Sequence, residues 1–254
     1  PNISVITNVL EDHLDRYDDF NHYVNSKLNI LNQVKDDGRI FYNSDDKILN
    51  DKVFRYKNST PFFLDDKVND SIRMMKKKLK GDHNLYNILA ALKISEFYKI
   101  DRKLFIDTLE KFKPLKHRLE YVCTINKTEA YNDSKATNVD SMVVGMSSFN
   151  KPIILIVGGI EKGESGIANA LIENKQKLVF VSCYGKSGEN ISNKIQHKIK
   201  TTYNKDFSDA VSAAISAIND DQVLLLSPGC ASYDQFSSYN ERGNKFKEIV
   251  FGVS

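Results

Sequence analysis

The chain has 254 residues, 41% hydrophobic and 27% charged, with a net charge of +3 at pH 7. That composition is globular, long enough for one large domain or two ordinary ones, and excludes a disordered chain. So mild a charge gives no reason to expect nucleic acid or a membrane surface as a partner.

In chain order, "ISVITNV" (3–9) reads as a buried strand, followed by a polar loop and a helix over 20–32. "GRIFYN" (38–43) and "KVFRYK" (52–57) read as strands, and 58–80 matches no single element. "GDHNLYNILAALKISEFYK" (81–99) predicts a helix with Asp82 as N-cap and Leu85, Ile88, Leu89 and Leu92 on one face. A helix over 101–111 runs into "KFKPLKHRLE", where Pro114 cannot continue it and marks a linker. Strands follow at 119–125 and 128–132, a helix at 139–149, a strand at 152–159 and a helix at 165–174. A strand at 177–185 precedes polar helical sequence, then come a helix at 206–218, a strand at 222–229 and a helix at 239–250. Apolar strands alternating with helices predict an α/β fold with a mostly parallel sheet covered on both faces. The expected division is half of an α/β domain at 1–113 and a Rossmann-like domain at 114–254.

Three scattered cysteines, Cys123, Cys183 and Cys230, form no CxxC or Cys/His cluster, which argues against structural zinc and for a reducing compartment. The basic run "RMMKKKLK" (73–80) has no aromatic platform beside it and reads as a solvated helix face. No apolar run approaches the ~20 residues that span a bilayer, and no signal peptide is expected. The chain opens "PNISVITNVL", without a Met and straight into a strand, so a fragment of a longer polypeptide is expected.

Several stretches bear chemistry. "YNDSKATN" (131–138) precedes a helix with Asn138 as N-cap and Val139, Met142, Val143 and Met146 as its apolar face. If extended, it sets Asp133, Lys135 and Thr137 on one face, beside the free N–H groups of the helix start. A phosphate or carboxylate site and an ordinary strand–loop–helix junction suit this octet equally. "TNVLEDHLDRY" (7–17) packs Glu11, Asp12, His13 and Asp15 at a strand end, as a carboxylate-rich magnesium site or a capped polar loop. Lys27 falls within the stripe Phe20, Tyr23, Val24, Ile30 and Leu31, where a lysine snorkels, pairs or is modified. Asn84 and Asn87 share a helix face and suit either an adenine edge or capping. "YGKSG" (184–188) imitates the end of a phosphate loop, but Phe180 stands where G-x-x-x-x-G-K-[ST] needs its first glycine. "GGIEKG" (158–163) also lacks that spacing, though it puts Lys162 just past a strand end.

Taken together and in this order, "TNVLEDHLDRY", the helix with Lys27, "GDHNLYNILAAL", "HRLEYV", "YNDSKATN", "IVGGIEKG" and "LLLSPGCASYDQFSSYNERGNKF" resemble the Mur ligase family over nearly the whole chain. "NDSKATN" and "SPGCASYDQF" resemble its D-glutamate-adding members. The resemblance implies the C-terminal part of a P-loop-type central ATPase domain, then the Rossmann-like domain that binds the amino acid. The UDP-sugar domain and the phosphate loop would lie upstream. It implies a monomeric cytoplasmic ligase of peptidoglycan precursor synthesis that uses ATP and Mg2+. There the carboxylate of UDP-MurNAc-L-alanine becomes an acyl phosphate, and D-glutamate attacks it to leave ADP and phosphate.

The resemblance also implies roles. His13 matches a metal-binding histidine and Lys27 a lysine carbamylated into a magnesium ligand, both catalytic. Asn84 and Asn87 match adenine contacts, Arg118 and Asp133 nucleotide contacts, and Lys135 a phosphate-side cation. Thr137, Lys162, Ser232 and Tyr239 fall where D-glutamate is held, Tyr239 standing where Phe is frequent. Without the phosphate loop this chain alone is expected to be inactive. The alternatives are a non-catalytic binding fragment, or a related Mur or folylpolyglutamate-type ligase with another amino-acid substrate.

Overall fold

A computed structural model describes residues 1–10, 17–64, 79, 81–161 and 166–253, Asp82 by its backbone alone. His13 and Lys162 lie outside the described residues, as do Glu11, Asp12, Asp15 and nearly all of the basic run at 73–80. The chain divides into two compact units, Pro1–Phe112 and Lys113–Ser254.

The first unit is built on a parallel sheet of β1 (Ile3–Ile6), β2 (Arg39–Asn43) and β3 (Ser59–Phe62), in that order. Its helices among the described residues are α1 (Phe20–Leu28), α2 (Lys47–Val53), α3 (Asp82–Phe97) and α4 (Arg102–Lys111). Alternation along β2 sends Ile40 and Tyr42 to a core with Val24, Leu28, Leu49 and Val53. Phe41 faces the opposite way and packs with Phe62, Leu89 and Ala90.

Three expectations for this unit are corrected. The helix expected over 20–32 ends at Leu28, and a 3-10 segment, Asn29–Gln33, follows. Its tighter turn changes the phase of the apolar stripe, so Leu31 stays buried while Ile30 is 48% exposed. "KVFRYK" is not a strand. Asp46 accepts a hydrogen bond from the Leu49 N–H and starts α2, and Leu49 and Val53, four apart, are both buried. Phe54, next to buried Val53, is 58% exposed. The strand comes later and lies at the edge of the described sheet, where Pro61 is tolerated. Finally, Gly81 rather than Asp82 precedes the first turn of α3, at φ +90°.

Among its described residues the second unit holds six strands in the order β4 (Glu120–Ile125), β5 (Thr128–Asn132), β9 (Val223–Gly229), β6 (Ile153–Gly158), β7 (Leu178–Tyr184) and β8 (Thr201–Asn204). β4 runs antiparallel to β5, joined by Asn126 and Lys127 at φ +46° and +64°, and the other pairings are parallel. Its helices are α5 (Val139–Ser147), α6 (Ile167–Glu173), α7 (Gly185–Ile195), α8 (Phe207–Ser216) and α9 (Tyr239–Phe251). Met142, Met146, Ile167, Leu171, Ile191 and Ile195 place α5, α6 and α7 in one core. Phe207, Val211, Phe246 and Val250 place α8 and α9 in the other. Every residue of β6 and β9 is buried, which explains their unbroken apolar runs. The neighbours β6 and β9 lead to helices on opposite faces, so a topological switch point opens at their C-terminal ends, where open α/β sheets bind ligands.

Candidate functional site

In the second unit, the exits of β6 and β9 touch at the switch point. The Ile160 and Ala231 backbones exchange hydrogen bonds of 2.8 and 3.0 Å. Gly159, at φ +121°, permits this approach: a Cβ there would lie 2.2 Å from the Ala231 carbonyl oxygen. Ser232 follows directly and is buried, its carbonyl accepting from the Gln235 and Phe236 N–H groups.

The exit of β5 brings three of the singled-out residues together, but not as an extended run. The Ala136 N–H donates to the Asp133 carbonyl at 2.9 Å, closing a turn. Asp133, Lys135 and Thr137 therefore do not share one face. Asp133 points inward at 5% exposure, Lys135 is exposed and Thr137 is half-buried. The Asp133 carboxylate accepts from the Ser227 hydroxyl at 2.9 Å and from the Leu119 N–H at 3.2 Å. Burial pushes its pKa up to about 7, against the opposing effects of Ser227, the Leu119 N–H and the Arg118 charge. The Lys135 N–H donates to the His117 carbonyl at 2.9 Å. The "HRLE" and "NDSK" segments are thus cross-linked, with exposed Arg118 between His117 at φ +63° and Leu119 at φ +46°.

Beneath this turn lies a polar network that the motif reading missed. Asn132 Nδ2 donates to Glu120 and to the Gly243 carbonyl and lies 2.9 Å from His117 Nδ1, and Asn132 Oδ1 accepts from the Ser134 N–H. Burial lowers the His117 pKa, with Glu120 raising it in opposition. Arg242 is wholly buried and donates to the Ser134 hydroxyl and carbonyl, the Tyr184 hydroxyl and the Cys230 carbonyl. Its spacing held a signal: Arg242 sits on the stripe that continues through Phe246 and Val250, where a buried charge has to be hydrogen-bonded. Tyr239 opens α9, edge-on to His117 at 6.2 Å, with Lys135 Nζ 6.0 Å from its ring centroid. Burial pushes the thiols of Cys183 and Cys230 up to about 12, so neither is poised as a nucleophile.

In the first unit, Lys27 does not face inward. It is exposed in the last turn of α1, its Nζ 4.6 Å from the Tyr23 ring centroid. Leu28, four residues after Val24, takes the buried position instead. Asn84 is half-buried and Asn87 exposed, and Asn87 Nδ2 donates to Asn84 Oδ1 at 3.4 Å. Among the described residues no group of three or more His, Cys, Asp or Glu is placed to hold a metal ion. An ammonium donates only, so Lys27 unmodified does not suit magnesium, which takes oxygen ligands. A polar groove of about 550 Å³ between α1 and α2 is lined by Asn25, Asn29, Asn32, Lys52 and Arg55, none of them singled out from sequence.

Two family models match the chain: "Mur ligase middle domain" over residues 1–63 and "Mur ligase, glutamate ligase domain" over 117–230. The UDP-N-acetylmuramoylalanine–D-glutamate ligase of Caldicellulosiruptor saccharolyticus is 33% identical over 98% of this chain and 60% of its own length. The enzyme of the same name from Francisella tularensis subsp. novicida is 35% identical over 98% of this chain and 59% of its own length. The chain thus spans about 60% of the length of the curated relatives it matches. Among solved structures, the MurF ligase of Thermotoga maritima in complex with ADP superposes at a TM-score of 0.71 and 15% identity, over 100% of this chain and 63% of that one. A pseudomurein peptide ligase type C from Methanothermus fervidus gives 0.69 and 18%, over 100% and 64%. At such identities these two structures establish the α/β fold alone.

Proposed function

We propose, from the premise that this chain belongs to the Mur ligase family, that the complete gene product is an ATP-dependent, ADP-forming amide ligase joining D-glutamate to UDP-MurNAc-L-alanine in peptidoglycan precursor synthesis. The observation that carries this reading is similarity to D-glutamate ligases across 98% of the chain, through both compact units. The family resemblance is the ground for proposing a cytoplasmic monomer; among the described residues no helix is long and apolar enough to cross a membrane.

The reaction has two steps. A carboxylate oxygen of UDP-MurNAc-L-alanine attacks the γ-phosphorus of ATP, and ADP leaves. The D-glutamate amine then attacks the acyl carbon, phosphate leaves, and the amine nitrogen gives up a proton. We assign the dicarboxylate to Ser232 and Thr137, beside the switch point of the second unit, where N–H groups suit it, and by the family resemblance to Lys162, which lies outside the described residues. Tyr239 stands next to Lys135, the phosphate-side cation. Asp133 serves the nucleotide chiefly by holding the turn that presents Arg118, because its own carboxylate is turned inward. Asn84 and Asn87 offer paired amides to adenine. Magnesium would screen phosphate charge, with His13 and a carbamylated Lys27 as its implied protein ligands.

The test is ADP release by the complete gene product with UDP-MurNAc-L-alanine and each of several amino acids. Release with D-glutamate, and not with L-alanine, meso-diaminopimelate or L-lysine, is expected. Preference for another amino acid rejects the substrate assignment, and no ATP-dependent release rejects the ligase.

A further inference from the structure

The turn at 43–46 matches no motif singled out from sequence, yet it ties the exits of all three described strands of the first unit. After β1, the Thr7 carbonyl accepts from Asn43 Nδ2 at 3.1 Å, and the Val9 N–H donates to Asp46 Oδ2 at 2.9 Å. Asn43 Oδ1 accepts from the Asp45 N–H at 3.0 Å, which shapes the turn itself. Asp45 Oδ2 then takes two donors, the Leu64 N–H just past β3 at 3.0 Å and the Tyr86 hydroxyl at 2.8 Å.

Tyr86 lies in the first turns of α3, between Asn84 and Asn87. Its ring packs against the core of Phe41, Phe62, Leu89 and Ala90, and its hydroxyl reaches the turn. The start of α3 has no side-chain cap, since Gly81 precedes it. A lateral bond to the turn therefore acts where the helix end is least held by its own hydrogen bonds. The bond spans 41 positions of sequence and joins the strand exits to the helix that carries both asparagines.

We propose that Asp45 and Tyr86 are positioning residues: their hydrogen bond holds the first turns of α3, and so sets the Asn84 and Asn87 amides against the adenine of ATP. This rests on the ligase reading above. The bond is solvent-exposed and has a charged acceptor, so its loss weakens nucleotide binding about 3- to 10-fold rather than abolishing it.

The experiment measures KM for ATP and for D-glutamate, and the thermal midpoint, on the complete gene product and its variants. Tyr86→Phe removes the hydroxyl and keeps the packed ring. It raises KM for ATP about 3- to 10-fold and leaves KM for D-glutamate and the midpoint unchanged. Asp45→Ala raises KM for ATP to a similar extent and also lowers the midpoint, because it removes the acceptor of the Leu64 N–H as well, and Asp45→Asn, which keeps an acceptor oxygen, restores KM for ATP to near the wild-type value. A Tyr86→Phe enzyme with wild-type KM for ATP overturns the latch alone. A rise in both KM values with a lowered midpoint overturns it too, in favour of a general packing role. If the wild-type protein neither uses ATP nor binds ADP, the ligase reading falls together with the latch.

Discussion

Arg242 spends two of its donors on one residue, Ser134: Nε lies 2.9 Å from the hydroxyl and Nη2 2.7 Å from the carbonyl oxygen. Nη1 reaches the Tyr184 hydroxyl at 3.0 Å and the Cys230 carbonyl at 3.1 Å. One guanidinium therefore staples the exits of β5, β7 and β9, and all four acceptors are neutral. A buried cation so placed is held by the number and geometry of its hydrogen bonds.

Arg242→Met is expected to destabilise the second unit by about 3 kcal/mol, because it strands several buried acceptors at once. Arg242→Lys does not restore stability, since an ammonium cannot reproduce the planar fork. Urea unfolding, read from the transition of the second unit, checks both. A loss below about 1 kcal/mol for either variant shows that the three exits hold without the staple.

Asp133 gives a pH dependence of defined sign. Burial raises its folded pKa from 3.8 to about 7, so the folded state favours the protonated carboxyl. Its contribution to stability is full below pH about 4 and is lost as pH rises through about 7. Asp133→Asn stays neutral, can accept from the Leu119 N–H and can donate to the Ser227 hydroxyl. Thermal midpoints of the two proteins are expected to lie closest near pH 4 and to diverge steadily up to about pH 7, with the asparagine variant higher. Parallel curves across that range mean that Asp133 does not change protonation there.

Lys27 separates stability from activity. Its ammonium is exposed above the Tyr23 ring, a contact worth about 0.5–1 kcal/mol. Lys27→Ala is therefore expected to lower stability by no more than that, while ADP release by the complete gene product is lost. Differential scanning fluorimetry beside the release assay decides it. A Lys27→Ala enzyme that keeps its activity removes Lys27 from the magnesium site.

The elements most legible in the sequence were those whose surroundings are uniform. "PIILIVGG" and "QVLLLSPG" read as buried strands because β6 and β9 are covered on both faces. β8 was missed because "TTYN" is half-buried throughout and shows neither an apolar run nor an alternation. "KVFRYK" misled because its apolar and aromatic residues straddle the end of a short capped helix and the turn after it. The paired asparagines of α3 were visible through their spacing, but Asp45, which reaches Tyr86 between them, lies 41 positions away and carried no local signal.

By itself the sequence determined the α/β class, the family and the order of its motifs, because each is written in local periodicity and short runs of residue types. Only the tertiary structure decided which way the chemical side chains point. Asp133 turns inward through a closed turn, and Lys27 stays exposed because Leu28, four residues after Val24, takes the buried position; a hydrogen bond or a buried position depends on groups that meet from distant parts of the chain.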